Sequence, residues 1–130
     1  MFPVDVDPTL QDLLAALVNV YQHVKPMPLY RYSGLCDLVG TEIWVKHENH
    51  HGVGSFKVRG GINLVAELTA EERSDGLYTV STGNHGQSIA YAAREFGAKA
   101  TIAVAEQSNP GKVASIRGLG AEVVFHGADF

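Results

Sequence analysis

The sequence predicts an α/β fold, an open parallel sheet with helices on both faces. Three observations predict it. Short β-rich runs alternate with segments of helical spacing, and Gly, Pro and Asn punctuate the junctions. Of the 130 residues, 45% are apolar and 18% charged, the balance of a chain able to bury a core.

The first element is a helix. Leu10, Leu13, Leu14, Leu17, Val18 and Tyr21 recur at three and four, behind an N-cap signal in Thr9 and Asp12, and the pattern runs out near Val24. Pro26 and Pro28 then impose extended backbone, and a polar stretch through Ser33 and Gly34 reads as a loop or short turn. Four β-rich runs follow: Ile43 to Val45, Tyr78 to Val80, Thr101 to Val104 and Val123 to Phe125. Between them lie three helical segments. The first carries Val58, Ile62, Val65 and Leu68; the second Ile89, Ala93 and Phe96, closed by Gly97; the third Val113, Ile116 and Leu119 behind Asn109 and Pro110. Strand and helix alternate three times, the order of a parallel sheet with right-handed crossovers. No repeat, low-complexity tract or linker interrupts it. Asp129 and Phe130 follow directly on a strand, where an alternating fold adds another helix, so the chain reads as truncated.

Composition narrows the function. Ten basic against fourteen acidic residues give a net charge of −4, without the broad positive field of a nucleic-acid binder. No run approaches a membrane span, and residues 1–8 lack the basic and apolar regions of a signal peptide. Cys36 is the single cysteine, which excludes an intrachain disulfide and fits a reducing cytoplasm.

Ligands of open parallel sheets gather at the carboxyl ends of strands, and two loops there are unusual. Gly52-Val53-Gly54-Ser55-Phe56-Lys57 runs into a helix with a lysine at its start, although the helix dipole favours lysine at the other end. That disfavour for the ammonium suits an amine that attacks an aldehyde; the alternative is a solvated surface lysine. Ser81-Thr82-Gly83-Asn84-His85-Gly86 opens the next helix with small residues, side-chain donors and exposed N–H groups suited to a carboxylate or phosphate. Its alternative is a capped turn.

Together these loops resemble one family. Val45-Lys46-His47-Glu48-Asn49, Gly54-Ser55-Phe56-Lys57-Val58-Arg59-Gly60-Gly61 and Ser81-Thr82-Gly83-Asn84-His85-Gly86-Gln87 are similar to the pyridoxal-phosphate-dependent enzymes of fold type II, in particular the threonine/serine dehydratase (ammonia-lyase) and serine racemase branch. The likeness runs from about Pro26 to the last residue. It implies that Lys57 holds pyridoxal 5'-phosphate as an imine and then serves as base toward the substrate Cα. It implies that Phe56 packs on the pyridine ring and that Asn84 bonds the phenolate oxygen. Ser81, Thr82, Gly83, Asn84 and His85 then receive the substrate carboxylate. Residues 1–40 become a helix and lead-in segment of a large domain, and 41–130 a small α/β domain. The implied reaction is β-elimination from L-threonine, L-serine or a similar β-hydroxy amino acid, giving a 2-keto acid and ammonia, in a protein that is a homodimer at full length.

Two departures bear on this reading. Thr82 stands where serine racemases place a serine as the opposite-face acid/base, which favours elimination. Met27 stands where the family usually has a threonine before Pro28. The family's glycine-rich phosphate loop and its partner for the pyridine nitrogen have no counterpart here, so the chain alone is expected to be inactive. Within the family, a racemase or threonine synthase-like enzyme is the alternative, and outside catalysis an amino-acid-binding remnant. His47-Glu48-Asn49-His50-His51 satisfies the H-E-x-x-H zinc pattern, which works only on a helix, whereas here it leaves a strand toward Gly52 and Gly54. These histidines read as a polar rim, and His23 and His126 as ordinary surface or core residues.

Overall fold

The computed structural model describes residues 7–128. Its elements run α1 (Leu10–Tyr21), β1 (Leu29–Arg31), α2 (Ser33–Val39), β2 (Trp44–Lys46), a 3-10 turn (Glu48–His50), α3 (Lys57–Glu67), α4 (Ala70–Asp75), β3 (Leu77–Val80), α5 (Asn84–Glu95), β4 (Ala100–Val104), α6 (Pro110–Gly118) and β5 (Glu122–Phe125). The class is α/β with a parallel sheet, as the alternation predicts. β3, β4 and β5 lie side by side in that order, with Tyr78 opposite Thr101 and Ile102 opposite Val123.

Helix α1 starts where its cap chemistry says. Thr9 Oγ1 accepts from the Asp12 N–H at 3.2 Å, and Asp12 Oδ2 accepts from the Thr9 N–H at 2.8 Å, a reciprocal capping box. Val20 is its buried residue, facing α3, while Leu10, Leu13, Leu14 and Val18 remain exposed. The same box recurs at Thr69 and Glu72 and starts α4, a helix that the hydrophobic spacing did not announce because it buries none of its residues.

The first β-rich run departs from expectation. β2 does not join the parallel sheet; it pairs antiparallel with β1, Tyr30 opposite Val45, in a separate two-stranded sheet. The stretch read as loop therefore contains a strand and the start of a seven-residue helix, α2. The reason lies in tertiary contacts. Cys36 turns inward, and its Sγ accepts the Ile43 N–H at 3.2 Å, which folds the end of α2 back against the start of β2. The hydrogen-bonding edge of β2 is then taken by its own upstream neighbour.

Helix α5 is the central layer. On one side Ile89, Ala90 and Ala93 pack with Ile102, Val104, Val113 and Ile116 over the sheet. On the other, Ala92 joins Val20, Val53, Val58, Ile62 and Val65. Small residues allow this double burial. α5 and α6 cover one sheet face; on the opposite face Tyr78 is 76% exposed and Val80 57%, and among the described residues no helix lies over them.

The tightest approach is between α3 and α5 at Gly61. A Cβ there would run into the Ser88 hydroxyl and lie 2.7 Å from the Ser88 carbonyl oxygen, which is backbone and cannot turn aside. Gly60, one residue earlier, has open space around it. The pair gives a controlled test. Gly60→Ala removes only the helix penalty of glycine and should stabilise the chain by about 0.5–1 kcal/mol. Gly61→Ala has the same propensity gain but forces the helices apart, and should cost about 1–3 kcal/mol net. Urea midpoints of the two variants check this, and equal midpoints would remove the packing argument.

Candidate active site

The first site loop is held by a carboxylate. Glu48 accepts two bonds from Arg59, from Nε at 2.8 Å and Nη2 at 3.0 Å, and lies 2.9 Å from Nε2 of the buried His51. The chain thus leaves β2, makes its 3-10 turn and is clamped onto the first turns of α3. Gly54 takes φ +68, a left-handed conformation open to glycine at little cost. Ser55 is buried, and its Oγ accepts the Lys57 N–H at 3.2 Å. Phe56 ends the loop as an exposed residue, at 63%, and Lys57 is the first residue of α3. The Arg59 guanidinium also lies 5.4 Å from the ring centre of Tyr21, tying α1 to the same clamp.

The H-E-x-x-H residues fall on the 3-10 turn and on the residues that flank it, His47 before and His51 after. The His47 ring is 2.7 Å from the Tyr32 hydroxyl and stacks on His50, while His51 is engaged with Glu48. Their roles are in the packing of this loop. His23 lies 3.6 Å from Glu95 and against the Phe96 ring, and His126 is exposed.

The second loop leaves β3 at Val80. Ser81 continues the ladder, its N–H donating to the Ala103 carbonyl at 3.0 Å. Its Oγ then accepts from the Gly83 N–H at 3.2 Å and the Gly86 N–H at 3.0 Å, stapling the turn into α5. Ser81 therefore serves the loop through its oxygen, and what it can offer a ligand is its hydroxyl hydrogen. Thr82 and His85 are exposed and Asn84 is half-buried; among the described residues none of these three side chains makes a hydrogen bond, and neither does the Lys57 amine.

Sequence reasoning missed the residue that joins the two loops. Ser88, fully buried one turn beyond Asn84, donates its hydroxyl to the Lys57 carbonyl oxygen at 2.5 Å. Residues four apart share a helix face, so Asn84 projects from the face of α5 that meets α3. The starts of both helices come together, with an unbonded amine, an open aromatic ring and an unbonded amide at their ends. A cleft of about 410 Å³ opens beside the second loop, between Thr82 and the start of α6, lined by Thr82, Gln107, Ser108 and Lys112 among others. Lys112 was visible as a second lysine in the first turn of a helix, the signal already used for Lys57.

The family described as pyridoxal-phosphate dependent enzyme matches residues 20–130. The L-threonine ammonia-lyase of Thermotoga maritima is 39% identical over 122 residues, covering 94% of this chain and 30% of that protein. The biosynthetic L-threonine dehydratase of Haemophilus influenzae is 35% identical over 127 residues, covering 95% and 25%. Among solved structures, the serine racemase of Dictyostelium discoideum superposes with a TM-score of 0.87 at 36% identity, covering 92% of this chain and 40% of that one. The chain spans about a quarter to a third of the length of the first curated relatives it matches.

The Glu48 clamp carries a pH signature. Bonding from Arg59, and then from His51, holds the Glu48 carboxyl below its ordinary 4.5 against the opposing effect of burial. A lowered folded value means stability that is present above about pH 4.5 and lost as pH falls through the folded value. Glu48→Gln should cost about 1.5–3 kcal/mol near neutrality, the scale of hydrogen bonds to a charged group. The gap to the unmodified chain should close as the pH is lowered below that range. Urea unfolding at pH 7 and pH 3 measures both, and a gap that stays constant would detach the clamp from Glu48 ionisation.

Proposed function

Because this chain belongs to the pyridoxal-phosphate dependent enzymes, we propose that it is part of a lyase that eliminates the β-hydroxyl of an amino acid such as L-threonine or L-serine, yielding a 2-keto acid and ammonia. The observation that supports the proposal is the Ser88 to Lys57 bond, which ties the helix that begins with the uncommitted Lys57 amine to the helix that begins with the uncommitted Asn84 amide. The threonine dehydratase and ammonia-lyase relatives support the reaction class.

The residues present fit pyridoxal phosphate. A primary amine without a partner among the described residues suits its aldehyde, the open ring of Phe56 suits its pyridine face, and the Asn84 side-chain amide suits its phenolate oxygen. When bound, this group supplies the electron sink that acidifies the substrate Cα–H. Lys57 Nζ would hold it and, when free, take the Cα proton. Phe56 would fix the tilt of the ring. The Ser81 and Thr82 hydroxyls and the free N–H groups of Asn84 and His85 would orient the substrate carboxylate. Ser88 acts behind Lys57 by fixing the backbone from which the amine projects.

The activity proposed is that of the whole protein. The same reading divides the chain at residue 40 into a lead-in segment of a large domain and a small α/β domain from 41. Contacts cross that line where α1 packs on α3 and where β1 pairs with β2. No helix of the described residues is long and apolar enough to cross a membrane. The free, buried thiol of Cys36 suits a reducing cytoplasm, and the proposal extends to a homodimer of the full protein.

Borohydride reduction of the full protein loaded with pyridoxal phosphate should place a pyridoxyl group on Lys57, and Lys57→Ala should abolish turnover. Peptide mass spectrometry locating the label on Lys46, Lys99 or Lys112 would overturn this assignment.

Thr82 separates elimination from racemisation. Racemisation needs an acid/base on each face of the planar carbanion, whereas elimination needs one base and a protonated leaving hydroxyl. The serine racemase likeness makes the comparison direct, and the β-branched Thr82 hydroxyl favours elimination. The full protein should release keto acid and ammonia with little D-amino acid, and Thr82→Ser should raise the D-isomer fraction. Chiral chromatography with D-amino acid as the main product of the unmodified protein would reverse the reading.

A further inference from the structure

The loop proposed to receive the substrate carboxylate contains no lysine or arginine. Ser81 Oγ already holds the Gly83 and Gly86 N–H groups at 3.2 and 3.0 Å, which withdraws both from any ligand. Besides the exposed His85 ring, and with the Asn84 amide assigned to the phenolate oxygen, what remains are the hydroxyl hydrogens of Ser81 and Thr82 and the backbone N–H groups of Asn84 and His85. These are neutral donors. A carboxylate drawn from water into a half-enclosed site is held better by a charge-assisted bond, roughly twice as strong as a neutral one.

The neighbouring βα unit delivers a charge to this place. The Lys112 ammonium stands 3.4 Å from where a Cβ on Gly83 would sit, so it reaches from α6 across to the turn after β3. It makes no ion pair among the described residues. Its position in the first turn of α6 opposes the helix dipole. That turn is nevertheless firmly set, because Asn109 Oδ1 accepts the Gly111 and Lys112 N–H groups at 2.9 and 3.3 Å. The cleft between Lys112 and Thr82 also contains Ser108, whose Oγ is buried without a hydrogen-bond partner. A cation without an acid and a buried hydroxyl without a partner thus border the same space.

We propose that Lys112 is a substrate-binding residue that pairs with the α-carboxylate of the amino acid from the α6 side, while the Ser81–His85 loop supplies the neutral donors. This rests on the reading of the site as an amino-acid lyase. It extends the site to a third loop, the one after β4, and assigns Ser108 as a supporting donor in the cleft.

The test compares L-serine with L-serinamide, which lacks the carboxylate, in the full protein loaded with pyridoxal phosphate, following cofactor absorbance on titration. Lys112→Met should weaken L-serine about tenfold or more, the scale of one hydrogen bond to a charged group. L-serinamide should change by less than about twofold, and Lys112→Arg should recover most of the L-serine affinity. Equal weakening of both ligands would make Lys112 a prop for the Gly83 turn and overturn the assignment, as would unchanged L-serine binding. Borohydride labelling separates the two levels of failure. Absence of label at Lys57 in the unmodified protein defeats the lyase reading, whereas full labelling with an L-serine affinity indifferent to Lys112→Met defeats the Lys112 proposal alone.

Discussion

The site depends on how closely α3 and α5 can approach. Ser88 reaches the Lys57 carbonyl at 2.5 Å only because Gly61 leaves no side chain between the helices. One such hydrogen bond contributes about 1 kcal/mol net, so its importance lies in geometry more than in energy. It sets the start of one helix against the start of the other, and each start carries a polar side chain without an internal partner.

The remaining supports converge on the same two helix starts. Glu48 clamps the loop before α3 through Arg59 and His51, and Arg59 in turn lies over Tyr21, so α1, the loop and α3 share one electrostatic knot. Ser81 plays the corresponding part before α5, joining the end of β3 to the helix by two accepted N–H groups. Polar residues near the site are thus of two kinds. Glu48, Arg59, His51, Ser55, Ser81 and Ser88 are occupied with the fold, while Lys57, Thr82, Asn84, His85 and Lys112 leave their functional atoms open. That division distinguishes groups that position from groups that can bind.

The layering explains why the middle helix is built of small residues. α5 is covered by α3 on one side and by the sheet on the other, and Gly86, Ser88, Ala90, Ala92 and Ala93 let both neighbours come near. Larger side chains would widen one of the two gaps. Either change would move the loop after β3 relative to Lys57, since that loop is continuous with α5.

Much of this was legible in order along the chain. Three- and four-residue spacing marked α1, α3, α5 and α6, and the β-rich runs marked β2 to β5, because a buried face leaves its period in the local sequence. The Lys57 and Asn84 loops were visible for a related reason: glycine, hydroxyl and amide residues beside a helix start have a local chemical meaning. The T-x-x-E box of α4 was equally local, but it carried no hydrophobic period to draw attention to it. Tertiary structure decided the rest. β2 pairs with β1 instead of β3, with Cys36 of α2 turned back onto Ile43, and no period records that. Ser88, 31 residues from Lys57, and Lys112, 29 from Gly83, acquire their meaning only when separate βα units stack. A sequence specifies which faces must be buried and where helices begin; which side chains meet across those faces is determined by the distance at which the layers come to rest.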